Sequence, residues 1–188
     1  PLVVAQSVAS ARYANFFLAW TVTGLVFLVP GAISQVLLVE GAKDADTTLV
    51  DHEPRADRAR EALGFSLGLS TLALVGAIAA GQLMVVLFGD SYRDAGRLLP
   101  LLMAAGIPWS IAAVRLAEAR IRRDQFATVA ITLTLGIGIL VPTLLWVPTR
   151  GTSGAVAAWL FGNVAAAIVA VALHQRRRPV AHLGALSG

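Results

Sequence analysis

Cysteine is absent from the 188 residues, so neither a disulfide, a zinc–thiolate site nor an iron–sulfur cluster can be built from this chain. Charge is scarce. Only 14% of the residues are Asp, Glu, Lys or Arg, whereas soluble domains carry about 25%. Lysine is nearly missing: Lys43 is the one exception among fifteen basic residues. That bias reads as the mark of a GC-rich genome and says little about function. No GxxxxGK[ST] loop occurs, which removes the usual phosphate cradle and ATP hydrolysis with it. Gly136 and Gly138 lie in an apolar run and read as helix packing. The histidines, His52, His174 and His182, are widely separated and give no metal-ligand spacing. Hence no metal and no other cofactor is expected. No charged segment precedes an apolar run at the start, so no signal peptide is expected. With Pro1 in place of Met, the chain reads as a piece of something longer.

What is plentiful is hydrocarbon. Apolar residues make up 57% of the chain, and the mean hydropathy is +0.74. The uncharged intervals are 13–39, 62–89, 98–114, 125–149 and 151–175; four have 25 residues or more and the third has 17. A membrane-spanning helix needs about 20 apolar residues, with about 17 as the lower limit. Arg97 and Arg115 flank the short interval, and their heads can bend toward water while their stems stay in lipid. Soluble helices would show a polar face every turn. The expected fold is therefore all-α: a polytopic membrane helix bundle with spans at about 13–39, 62–89, 98–115, 126–148 and 152–174. Residues 1–11 read as the end of a preceding helix with an external loop, 12–175 as a five-helix lobe, and 176–188 as a tail.

The connections give an orientation. Loops 40–61 and 115–125 and the tail share one side and hold eleven basic residues; Arg12, Arg93, Arg97 and Arg150 hold the other. Basic residues favour the cytoplasmic side of short loops, so the tail is expected in the cytoplasm and FGDSYRDAGRLLP, residues 88–100, outside. There Gly89 is suited to end a helix, and Asp90 or Ser91 to cap the next one. Pro54 followed by RADRAREAL reads as a helical lead-in to the second span. The tail's HQRRRP reads as a topology anchor with affinity for anionic lipid, not as a nucleic-acid site.

Within the spans, small residues recur at helical spacing. Gly154, Ala158 and Gly162 lie four apart on the fifth span, and Gly64 and Gly68 on the second. Such stripes let helix backbones approach closely in lipid. Pro30, Pro108 and Pro142 each fall inside a span, where proline removes a backbone hydrogen bond and bends the helix. No carboxylate lies in the middle of a span, which excludes a proton relay through Asp or Glu there. The uncharged polar residues Asn15, Gln35, Gln82 and Asn163 lie in or near spans. Each is suited either to line a cavity or to bond a neighbouring helix.

RYANFFLAWTVTGLVFLVPGAISQVLL, LFGDSYRDAGRLLPLLMAAGIPW and GTSGAVAAWLFGNVAAAI, taken in order, resemble the multidrug/oligosaccharidyl-lipid/polysaccharide exporter superfamily. They are most similar to polysaccharide-biosynthesis flippases of the O-antigen translocase type. The turn Leu87, Phe88, Gly89, Tyr92, Ala95, the glycines Gly151 and Gly154, and the bend from Pro30 to Ile33 carry the resemblance. It implies one lobe, the second, of a two-lobed carrier in the inner membrane, comprising five complete helices and the end of a sixth. The first lobe of the same polypeptide would supply the other wall of a central cavity.

The resemblance further implies transport and no enzyme activity. The cargo would be a polyprenyl-pyrophosphate-linked glycan for lipopolysaccharide or another cell-envelope polymer, moved by alternating access. An ion gradient or the membrane potential would drive it, with the ion unspecified. Arg115, near the cytoplasmic mouth, is then the first candidate for the pyrophosphate, because its planar fork suits phosphate oxygens; Arg97, at the outer mouth, is the second. A lipid II or multidrug exporter, a non-transporting membrane scaffold, and a membrane-embedded glycan ligase or transferase are the alternatives. The last would want a sizeable extramembrane domain, and the external loops are short.

Overall fold

The computed structural model describes residues 1–47 and 53–176. His52, His182, the tail after Arg176 and the middle of the 40–61 connection lie outside the described residues.

Every described element is helical. In order they are α1 (Leu2–Ser7), α2 (Ser10–Thr47), α3 (Glu53–Phe88), a 3-10 turn (Asp90–Tyr92), α4 (Arg93–Ala104), α5 (Gly106–Ile121), α6 (Gln125–Arg150) and α7 (Thr152–Arg176). Five stretches are long and apolar enough to cross a membrane: Ser10–Leu28, Ala59–Val86, Asp90–Ile121, Gln125–Arg150 and Thr152–Arg176. The chain thus forms an all-helical bundle whose five membrane-length helices are compatible with a multi-pass membrane protein. α3 starts at Glu53 with Pro54 in its first turn, where a missing N–H costs nothing.

The third stretch is not one rod. It breaks between α4 and α5 at Ala105, three residues before Pro108. Proline has no N–H for the carbonyl four residues back, and its ring crowds that carbonyl. Locally the chain tightens, with Ala105 N donating to Leu102 O at 3.3 Å. α6, by contrast, runs through Pro142 and Pro148, and α2 runs through Pro30.

The helices turn at positions their residues allow. Gly89 (φ 82°) and Gly151 (φ 60°) end α3 and α6 in the left-handed region, where a side chain would be strained. α5 ends differently. Arg123 adopts φ 55°, Asp124 N donates to Ala119 O at 2.8 Å, and Arg123 N donates to Arg120 O at 3.0 Å. This double closure satisfies the last carbonyls of α5. The Asp124 carboxylate then accepts from Ala127 N at 3.0 Å and starts α6.

α5 is the central helix, packed against α2, α3, α6 and α7. Its buried positions are small: Gly106, Ser110, Ala112, Ala113, Ala117 and Ala119, with Val114. Small residues let several helices crowd one axis without a cavity. A polar pair ties it to α3. Ser110 Oγ lies 2.9 Å from the Gly106 carbonyl and 2.8 Å from Ser70 Oγ. Either hydroxyl can be the donor in the Ser70–Ser110 bond.

The closest helix contacts are made by glycines. A Cβ on Gly154 would lie 2.5 Å from Trp146 O, and one on Gly162 would lie 2.8 Å from Ile139 N. Ala158 is fully buried on the same stripe. So Gly154, Ala158 and Gly162 seat α7 on α6. Gly64 and Gly68 do not act this way within the chain, contrary to expectation. Among the described residues, a Cβ on either would meet nothing within 4 Å. α3 instead makes its close crossing at Gly81 against Gly96 of α4, where a Cβ on either would lie 2.5 Å from the other's carbonyl oxygen. The stripe was visible in the sequence, but a stripe does not say which face has a partner.

Two kinds of surface result. α6 turns Phe126, Val129, Leu133, Ile137, Leu140 and Leu144 outward, a stripe of one helical face that water would not tolerate and lipid would. α3 turns outward Gly64, Gly68, Thr71, Val75, Ala79 and Gln82, spaced 4, 3, 4, 4 and 3 residues and so aligned on one face. That face mixes small and polar residues with Val75, and the exposed Leu72, Ile78 and Val86 lie beside it.

Candidate functional site

Polar chemistry gathers at the two ends of the bundle. At one end, the cap of α4 comes from a distant helix. Asn15 on α2 accepts from Ala95 N at 3.3 Å and donates through Nδ2 to Ser91 O at 3.0 Å. The helix start carries no cap from Asp90 or Ser91; the Asp90 carboxylate takes Arg93 at 2.6 Å instead. Asn15 is therefore a structural staple between α2 and α4. Asn15→Ala should cost about 1 kcal/mol, as loss of a helix cap does. Thermal unfolding in detergent checks this, and Asn15→Asp, which keeps the acceptor oxygen, should recover part of the loss.

Beside that staple lies an open groove of about 440 Å³ between α3 and α4. Ile78, Gly81, Gln82 and Val85 line it from α3, and Arg93, Gly96, Arg97 and Pro100 from α4. The fold thus brings together two residues singled out from sequence, Gln82 and Arg97. The glycine crossing at Gly81 and Gly96 forms its floor. From sequence Arg93 counted only as one of the basic residues of this side; its place four residues from Arg97, one helical turn away, was the available signal.

At the other end, Arg115 is occupied. Its Nη1 donates to Glu118 Oε2 at 2.8 Å and lies 3.4 Å from His174 Nδ1. His174 Nδ1 is 3.6 Å from the same Glu118 oxygen. The Arg115 and Glu118 side chains are only 19% and 12% exposed. This triad joins α5 to α7 over a cavity of about 30 Å³, also lined by Arg122 and Asp124. Such a space holds about one water and no pyrophosphate. Arg115 here acts first as half of a part-buried ion pair, a role its sequence neighbours Glu118 at three residues' spacing allowed.

The remaining candidates are apart from both clusters. Gln35 is exposed on α2. Asn163 is fully buried on α7, where its Nδ2 donates to Trp159 O at 2.8 Å and its Oδ1 has no partner. Ser66 Oγ, Trp109 Nε1, Trp159 Nε1 and Arg115 Nε are also buried without a partner. These atoms fall on α3, α5 and α7. Among the described residues no group of three or more His, Asp or Glu could hold a metal ion.

Comparison with protein-family models, with curated proteins and with solved structures finds no match to this chain.

Proposed function

We propose that this chain is one lobe of a membrane carrier that flips a lipid-linked oligosaccharide or polysaccharide precursor across the cytoplasmic membrane. The reading starts from the sequence resemblance to polysaccharide flippases. The observation that carries it further is the outward face of α3: Gly64, Gly68, Thr71 and Gln82 stand exposed at membrane depth. Although Val75, Ile78 and Val86 border them, these glycines and polar groups find more in the wall of a hydrated cavity or in a second lobe than in lipid tails. The task requires such a wall. Moving an isolated charge into hydrocarbon costs tens of kcal/mol, so a pyrophosphate head must travel through water while its polyprenyl chain stays in lipid. In this reading the His174 end faces the cytoplasm, on the strength of the basic loops. The ion gradient or membrane potential is the energy source.

This chain brings no cysteine of its own to the test. In the full-length protein, Thr71→Cys should react with a charged, water-soluble thiol reagent, while Leu133→Cys and Ile137→Cys on α6 should not. An unreactive Thr71→Cys would mean that the α3 face is packed dry against protein, which favours a scaffold. The cargo is tested separately. Thr71→Trp should narrow the passage and cut surface glycan at unchanged membrane levels; normal glycan export would remove glycan from the proposal.

A further inference from the structure

We infer that the groove between α3 and α4 is a binding site for the phosphate of a lipid headgroup. The inference needs the membrane reading but not transport. Its lining holds two guanidinium groups and no carboxylate. Arg97 is exposed and, among the described residues, makes no ion pair or hydrogen bond, so its fork is available. Arg93 gives one N–H to Asp90 and keeps the rest of its five donors. The two arginines project from successive turns of α4, about 6 Å apart, which suits two forks on one tetrahedral phosphate. Gln82 faces them from α3 and can donate to an ester oxygen or accept from a headgroup hydroxyl.

The other half of the groove is apolar. Ile78, Val85 and Pro100 line it, so the first carbons of a lipid chain would meet hydrocarbon while the phosphate meets Arg97. Concavity comes from the floor, because neither Gly81 nor Gly96 could carry a Cβ without striking the other's backbone. At about 440 Å³ the groove falls in the range of small-ligand pockets. Free phosphate shares the headgroup's charge, but only a lipid would also use the apolar half.

The full chain in neutral detergent, titrated with phosphatidic acid and read by native mass spectrometry, tests this. Arg97→Ala should weaken phosphatidic acid binding about tenfold, or about 1.4 kcal/mol. Arg97→Lys should fall between, since it keeps charge and loses the fork. Arg150→Ala, which removes a cation at the same end of the bundle that lies 5.8 Å from the Trp146 ring, should change nothing. Equal loss in the Arg97→Ala and Arg150→Ala proteins would reduce the effect to diffuse charge and end the proposal, as would no loss in either. Inorganic phosphate that competes on equal terms with phosphatidic acid would overturn the lipid assignment. Because Arg97 is exposed, an unchanged thermal midpoint in the variant separates lost binding from lost folding. An Arg97 effect that persists when Thr71→Cys is unreactive would keep the groove and discard the carrier.

Discussion

Replacing Glu118 by Ala should lower stability by about 3 kcal/mol, because it strands a part-buried arginine beside a histidine. Removing one member of a buried pair costs about 3–5 kcal/mol, and Arg115 and Glu118, at 19% and 12% exposed, stand near the lower end. The Arg115 Nε already lacks a partner, so nothing nearby is free to take over. The loss would appear as a lowered thermal midpoint in detergent, with α5 and α7 separating first, since the triad links them. Glu118→Gln should do nearly as much harm: the shape survives and the charge balance does not. Exchanging both partners for apolar residues, Arg115→Met with Glu118→Leu, should restore most of the stability, as it does for other buried pairs. If the double variant is as unstable as Glu118→Ala, the triad is held by something other than charge compensation.

Gly162→Val should be as severe by a different route. A Cβ at Gly162 would strike Ile139 Cγ1 and lie 2.8 Å from Ile139 N and 2.9 Å from Gly138 C. A flexible side chain can swing away, but backbone atoms cannot, so α6 and α7 must part along their length. Overpacking costs about 1–3 kcal/mol when side chains absorb it, and here the upper figure applies. Gly68→Val is the matched control. It meets nothing within 4 Å, so its effect on the isolated chain should stay within about 0.5 kcal/mol, as for surface changes. Thermal unfolding of the two variants side by side measures the contrast. Equal effects would mean that the α6–α7 contact is looser than its geometry. In the complete carrier Gly68→Val should gain a cost that it lacks here, if a second lobe covers α3.

These expectations separate what patterns reveal from what contacts reveal. The five apolar stretches were legible because hydrocarbon length is a local property, readable one segment at a time. Gly154 and Gly162 were legible as a stripe, and so were Gly64 and Gly68, yet only the first pair has a neighbouring backbone. Arg115 read as a phosphate ligand although Glu118, three residues on, could already pair with it; only its contact with His174, 59 residues away, lay beyond the reach of the sequence. Asn15 read as a cavity liner or a helix bond; its acceptor role toward Ala95, 80 residues on, depends on how α2 and α4 are placed.

By itself the sequence determined that the chain is a bundle of membrane-length helices, where the last two of them begin and end, and that Gly89 ends one of them. Hydrophobic run length, charge-free spacing and φ preference act within a few residues, so no knowledge of neighbours is needed. The tertiary structure alone decided which small-residue face is covered and which is open. It also decided that His174 of α7 joins the Arg115–Glu118 pair, and that Gln82, Arg93 and Arg97 border one groove over the Gly81–Gly96 crossing. Those outcomes depend on which helices touch, and pairing between helices is settled by packing and charge balance across the bundle, which no stretch of the chain encodes alone.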